Sequence, residues 1–371
     1  MHFSINRDKL LHSLSYTQGI VEKKNTLPIL SNVLINAKND ILTLVATDLD
    51  IFFYEEIKDV KITSEGSTTT SANVLYDILR KISSKAELNF EQKSQNKLSL
   101  TADNSDFNLL CLPSENFPVL PKDETNEEIK LESTNLLSLI NKVKISISND
   151  DTRHYLNGIY FHITGAGEKN YLTGVATDSH RLSSSSLEIP SLSNNISFIL
   201  PKKTVFQLSN LLSDIKSEVK FKIGENKIEF LTDNKKIISK VIDGKFPDYK
   251  KVVPSNNNKK LVVNCKDFID SVERVTTVSL DRKEGIKLEL LEDQIKLSVS
   301  SASSGDGNEL LKSNYRDKSF VISFNSKYLI DIASVIENQN IEFLLNDGIS
   351  PVLITDQSDK DSFYVVMPMK I

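Results

Sequence analysis

The stretch "TDSHRLSSSS" (residues 177–186) places a carboxylate, an imidazole and a run of hydroxyls close together. Asp178, His180 and Ser183 to Ser186 are the residue types a hydrolase would combine, with a hydroxyl as nucleophile, the imidazole as base and the carboxylate to orient it. No nucleophile elbow and no Gly-rich phosphate loop accompanies them. The competing reading makes the serines a strand surface and His180 a packing or binding residue. A second candidate is the pair Asp48 and Asp50 in "TDLD". On a continuing strand both carboxylates would share a face and could seat a cation; in a turn they would only shape the backbone. His2, His12, His154, His162 and His180 show no metal-ligand spacing, and no segment asks for a cofactor. Cys111 and Cys265 lie beside apolar runs without a CxxC partner and read as reduced, buried thiols.

The elements that must position these groups belong to a chain of 371 residues, 39% hydrophobic and 26% charged. That length exceeds one ordinary core, and that composition is typical of folded domains. No apolar run is long enough to span a bilayer. The start, "MHFSINRDKLLHSL", lacks the basic and continuous apolar regions of a secretory signal, so a cytoplasmic protein is expected. The net charge of −5 argues against a generally basic nucleic-acid binder and leaves room for a local basic face.

The chain repeats itself. "VATD" occurs at Val45 to Asp48 and again at Val175 to Asp178, and the flanks match as well. Each copy reads as a strand, a short helix, a loop and two strands joined by a turn, ending on VATD. Asn6, and Ser133 or Thr134, are plausible N-caps. Leu10, Leu11 and Leu14 form one helical stripe, and Leu136, Leu137, Ile140 and Val143 the other. A third copy starts near Lys260, with Phe268, Ile269, Val272 and Val275 on its helix, and has lost VATD. Every copy has a second half of the same form, with helical stripes at Val74, Leu75, Ile78, Leu79 and Ile82, at Val205, Leu208, Leu211 and Leu212, and at Tyr328, Leu329, Ile332 and Ile336. Polar linkers divide the copies, which gives three α+β domains, 1–126, 127–257 and 258–371.

With this architecture, "TLPILSNVLI", "YLNGIYF", "VATDSHRL", "DGKFPDYKKVVP" and the terminal "YVVMPMKI" resemble the beta subunit of bacterial DNA polymerase III, the sliding-clamp family, from Met1 to Ile371. The resemblance implies the DNA clamp fold, with helices lining and sheets surrounding a ring. It implies a head-to-tail homodimer that encircles double-stranded DNA without reading its sequence, a processivity factor with no catalytic activity. Six helices per chain at roughly 10 Å spacing would enclose an axis circle only about 19 Å across. Twelve give about 38 Å, and about 28 Å once a helix diameter is subtracted. Two chains, not one, leave room for a duplex.

Arg80, Lys81, Lys142, Lys144, Lys202, Lys203, Lys266 and Arg274 lie off the apolar stripes and suit weak attraction to phosphates. From the family, Lys24, His154 and Tyr155 are implied to be DNA-proximal as well. His154 replaces a frequent aromatic. Phe107 and Leu109 are implied to meet the Thr277 and Val278 region of the next chain. Charged support there is thin, because Asn104 and Asp106 stand where arginine is common.

The family further implies a groove that captures short peptides of the QLxLF type from the polymerase III alpha subunit, the clamp loader, and other polymerases and repair proteins. Its matched residues are Leu156, Thr177, Ser179, His180, Arg181 and Leu182, then Pro247, Lys251, Val252 and Tyr328, and finally Val365, Val366, Met367, Pro368 and Met369. Flexible thioethers suit a groove with many ligands. Ser179 stands where glycine is frequent, and Lys251 and Lys370 where arginine is. Two rival readings remain at this point: a hydrolase built on His180, and a repeat scaffold that never touches DNA.

Overall fold

The computed structural model describes residues 1–22, 26–119, 127–166, 169–190, 196–279 and 285–370. The first copy runs β1 (His2–Asn6), α1 (Arg7–Thr17), β2 (Asn32–Lys38), β3 (Ile41–Thr47), β4 (Ile51–Ile57) and β5 (Lys61–Ser64). Its second half is β6 (Gly66–Ser71), α2 (Ala72–Lys81), β7 (Glu87–Ser94), β8 (Lys97–Ala102) and β9 (Ser105–Leu112). The second copy runs β10 (Glu127–Glu132), α3 (Ser133–Lys144), β11 (Gly158–Ala166), β12 (Lys169–Thr177) and β13 (Arg181–Ile189). It continues with β14 (Ser197–Pro201), α4 (Lys202–Ser213), β15 (Glu218–Ile223), β16 (Lys227–Leu231) and β17 (Lys235–Lys240). The third copy begins with β18 (Lys259–Asn264), α5 (Cys265–Thr276), β19 (Ile286–Leu291), β20 (Gln294–Ser301) and β21 (Gly305–Lys312). It closes with β22 (Phe320–Phe324), α6 (Ser326–Ala333), β23 (Asn340–Leu345), β24 (Val352–Asp356) and β25 (Asp359–Val366).

Local chemistry sets the helix starts. Asn6 sits in extended backbone and its side chain accepts the amides of Asp8 and Lys9 at 2.9 and 3.4 Å. Asn264 does the same for Asp267 at 3.1 Å, and Asn325 for Lys327 at 3.0 Å. Ser133 differs from expectation: it is the first helical residue, and its buried hydroxyl donates to the Ile215 carbonyl at 2.8 Å instead of capping its own helix. The stripe of α2 is also narrower than the spacing suggests. Ala72, Leu75 and Leu79 fill its buried face, and Val74 is left exposed.

The chain packs as two compact units, 1–137 with 203–241, and 138–202 with 242–371. The first holds one thirteen-stranded sheet, in the order β10-β15-β16-β17-β4-β3-β2-β6-β9-β8-β7-β1-β5. Here β17 of the second copy pairs antiparallel with β4 of the first, Ile238 opposite Phe52. The second unit holds an eight-stranded sheet, β14-β11-β12-β13-β25-β24-β23-β18, and a four-stranded one, β21-β20-β19-β22. In it β13 of the second copy pairs with β25 of the third, Leu182 opposite Val365. Strand ends that each copy would otherwise leave unpaired are closed by a neighbouring copy. The second copy is therefore shared between the two packing units.

Candidate functional site

In the second unit a cavity of about 360 Å³ gathers residues from five segments. The short helical turn Asp151–Leu156 supplies Tyr155 and Leu156. The end of β12 and the turn after it supply Thr177, Ser179 and His180, and β13 starts with Arg181 and Leu182. The segment after β17 adds Pro247, Asp248, Tyr249 and Val252, and the chain end adds Val365 and Met367.

The VATD signature builds the central turn. Asp178 Oδ1 accepts the amides of His180 and Arg181, both at 3.0 Å, and Thr177 Oγ1 accepts that of Ser179 at 3.1 Å. The first copy repeats this: Asp48 accepts from Asp50 and Ile51 at 2.9 and 2.8 Å, and Thr47 from Leu49 at 2.9 Å. Both turns force their third residue into the left-handed region, Leu49 at φ 79° and Ser179 at φ 78°. A Cβ is strained there, which explains why glycine suits this position. What Ser179 adds is a hydroxyl that accepts from Arg153 Nη1 at 2.6 Å.

Arg181 is the buried charge of the wall. Its Nη1 donates to Asp331 at 2.7 Å, its Nε to Asp178 at 3.1 Å, and its guanidinium stacks 4.3 Å from the Tyr328 ring centre. Two carboxylates and an aromatic face satisfy a cation that burial alone would penalise. Burial, and then the Asp178 charge, push the Tyr328 phenol pKa up. The chain end closes the wall: the Met367 amide donates to the His180 carbonyl at 2.8 Å, and the Met369 amide to Ser323 at 2.7 Å.

The first copy holds the counterpart of this arrangement, already filled. There the Lys240 amide donates to the Asp50 carbonyl at 2.9 Å. Phe52 stands where the second copy has Leu182, and is packed with Val45 and Phe117 in a closed apolar cluster. Asp48 and Asp50 lie in this turn and not on one strand face, and each meets a lysine: Asp48 takes Lys203, and Asp50 takes Lys240 at 2.8 Å. Their carboxylates serve ion pairs, so the cation reading is withdrawn. Among the described residues, no cluster of three or more His, Cys, Asp or Glu could hold a metal ion.

The hydrolase constellation does not assemble. Ser183, Ser184 and Ser185 are buried in β13, with Ser183 bonded to Ser146 at 2.6 Å and Ser185 to Ser362 at 2.8 Å. Asp178 spends its carboxylate on the turn and on Arg181. His180 belongs to the cavity wall.

Comparison with known proteins gives one answer along the whole length. Residues 1–121, 130–248 and 250–370 match the N-terminal, central and C-terminal domain models of the DNA polymerase III beta subunit. The chain belongs to the beta sliding clamp family. It is 35% identical to the beta sliding clamp of Caulobacter vibrioides and 31% to that of Escherichia coli, covering 100% of both chains in each case. A sliding clamp from Bartonella birtlesii, solved with griselimycin bound, superposes with a TM-score of 0.94 at 37% identity over 100% of both chains. The Caulobacter crescentus clamp, solved with polyethylene glycol in a putative beta-motif tethering region, gives 0.93 at 35% over 100% of this chain and 99% of that one. Three tandem clamp domains are thus the fold.

Of the groove residues read from the sequence, Lys251, Tyr328, Val366, Pro368 and Met369 do not line the cavity. Lys251 turns outward to Asp248 at 3.1 Å, and Val366 points into the core of the third domain. Tyr328 sits behind Arg181. Asp248 and Tyr249 line the cavity and were missed, although "DGKFPDY" contains them. Tyr155, which the family reading assigned to DNA, lines it too.

The cations that the sequence reading sets toward DNA are less free than their helix positions suggest. Lys142 is held by Asp359 at 2.8 Å and Glu337 at 2.9 Å. Burial works against its charge, but the two carboxylates outweigh that and raise its pKa. Arg274 pairs with Glu309 at 2.6 Å, Lys203 with Asp48, and Lys202 with Asn149. Arg80 and Lys81 are exposed at the end of α2, with Arg80 over the Tyr76 ring. His154 Nε2 lies 3.2 Å from the Asp243 carbonyl. Lys24 lies outside the described residues.

Phe107 is half-buried and lines a groove in the first unit with Val74, Ile78 and Ile82. Leu109, by contrast, is buried in its own domain. In the second unit Thr277 caps the end of α5 and is exposed, while Val278 packs partly on the third-domain core. No helix among the described residues is long and apolar enough to cross a membrane.

Proposed function

We propose that two copies of this chain close head to tail into a ring around duplex DNA and tether the replicative polymerase and other replication and repair proteins to it. In this reading the chain is a cytoplasmic processivity factor and no catalyst. Family membership over the whole chain supports the DNA and polymerase partners, and the cavity under His180, Arg181 and Met367 carries the tethering role. An apolar cavity with a few fixed polar groups and the half-exposed Met367 in its wall fits short peptides with apolar anchors.

Two strand edges support the head-to-tail contact. β9 pairs with β6 only through Leu112 and Cys111, so Ser105 to Leu110 face no strand on that side among the described residues. β21 is the end strand of its sheet. Leu110 and Leu310 are strongly exposed on these two strands. An edge that is apolar and open is a liability in a monomer and an asset in an assembly. The domain joints stay at 126 and 257, supported by the recurrence of strand, helix and strands in each copy.

The experiment is retention on DNA. The protein, loaded on a closed circle, should stay bound and should leave when the circle is cut. Equal retention on linear and circular DNA would end the ring reading, and failure to load at all would favour the scaffold.

A further inference from the structure

Behind the cavity wall, four aromatic side chains stand in contact. Tyr160 stacks on Phe246 with centroids 4.8 Å apart and planes 8° apart, and on His162 at 5.0 Å and 24°. The two β11 residues share a strand face because they are two positions apart. His162 Nε2 lies 3.0 Å from the Tyr249 hydroxyl. Tyr249 lines the cavity, and His162 does not. The hydroxyl is thus engaged with a group outside the cavity, and the rest of the phenol forms its wall.

We propose that His162 is a positioning residue of the peptide site: its hydrogen bond to Tyr249 fixes the phenol so that the wall offers carbon, not a hydroxyl, to an apolar side chain of the bound peptide. This rests on reading the cavity as the peptide site. Packing against the apolar cluster of Leu156, Leu182 and Phe246 holds the ring in part and the His162 bond fixes its hydroxyl, while the local backbone adds little for Tyr249. It opens the short turn Tyr249–Val252, and Asp248 before it makes no side-chain capping bond to that turn. The neighbouring charges, Asp248 and Lys251, pair with each other at 3.1 Å. Burial raises the phenol's pKa and lowers the imidazole's, which leaves a neutral pair. Such a bond contributes modestly by itself, but loss of either partner frees the ring: without His162 the hydroxyl can turn into the apolar pocket, and without the hydroxyl the ring is no longer held against His162.

The test is calorimetric titration of a QLSLF pentapeptide into full-length protein. His162→Leu and Tyr249→Phe should each weaken binding by about three- to tenfold. The double variant should be no weaker than the worse single one, because both remove one bond. His162→Gln, which can still donate or accept toward Tyr249, should bind within about twofold of the wild type. Unchanged affinity in His162→Leu, or additive losses with no rescue by glutamine, would overturn the proposal while leaving the site reading intact. A wild-type protein that ignores the peptide would overturn the site reading itself. If His162→Leu fails to fold by circular dichroism, Tyr249→Phe and His162→Gln decide: a loss in the first with retention in the second supports the proposal, and any other pattern ends it.

Discussion

The Met367 amide donates to the His180 carbonyl at 2.8 Å, and this bond ties the end of the chain to the turn that opens the cavity. Removing residues 367–371 deletes that bond, the Met369 to Ser323 bond, and two thioethers. Anchor contacts in such sites are worth at least about 2 kcal/mol, roughly thirtyfold in affinity. The truncated protein should keep the assembly mass of the full-length protein and lose the pentapeptide in a calorimetric titration. Affinity close to the original would reduce the chain end to a strand terminus.

The left-handed turns make a prediction about stability. Replacing Leu49 by glycine removes a Cβ from φ 79°, which relieves about 1–2 kcal/mol of strain and adds back part of it as unfolded-state entropy. A net gain of roughly 0.5 kcal/mol is expected in denaturant melts. Ser179→Gly should relax the same backbone and release only Arg153 Nη1, since Nε stays on Asp150 at 2.9 Å, while Ser179→Val should destabilise by about 1–2 kcal/mol. A neutral Ser179→Val would mean that the turn yields easily.

Charge reversal separates cations that meet DNA from cations that hold the fold. Arg80→Glu with Lys81→Glu should weaken retention on circular DNA and flatten its salt dependence by about one log unit per lost phosphate contact. Lys203→Glu should instead lower the melting temperature, because it sets a second carboxylate against Asp48. If Lys203→Glu melts like the wild type but loses DNA, the lysine works in the hole.

Phe107 and Leu109 are predicted to part company on mutation. Phe107→Ala combined with Val278→Asp should give monomers at low micromolar concentration by mass measurement. Leu109→Ala should cost about 2–4 kcal/mol of folding stability, since it empties a buried site. A stable, dimeric double variant would move the subunit contact elsewhere.

Much of this molecule could be read without coordinates, for a local reason. Asn6 caps its helix through amides two and three residues away, and Leu10 with Leu14 mark a buried face by spacing alone. What spacing could not show is long-range. That Arg181 meets Asp331, or Lys142 meets Asp359, depends on strands and helices brought together from distant segments. The same holds for Ser133, whose hydroxyl prefers a distant carbonyl to the cap. Tyr249 is not legible as a wall residue for the same reason, because its contact with His162 joins segments 87 residues apart. The first-copy counterpart of the groove shows the limit most clearly, since Phe52, where the second copy has Leu182, packs with Val45 and Phe117, and Phe117 lies far along the chain.

The pairing of β17 with β4, and of β13 with β25, gives the repeats a history and a cost. A gene can lengthen by duplicating a copy, but once strands from adjacent copies share a ladder, no copy can be excised without baring one. Cooperative unfolding is then expected to follow the shared sheets, which cut through the middle repeat. A fragment expressed along repeat boundaries would carry a raw sheet margin prone to self-association.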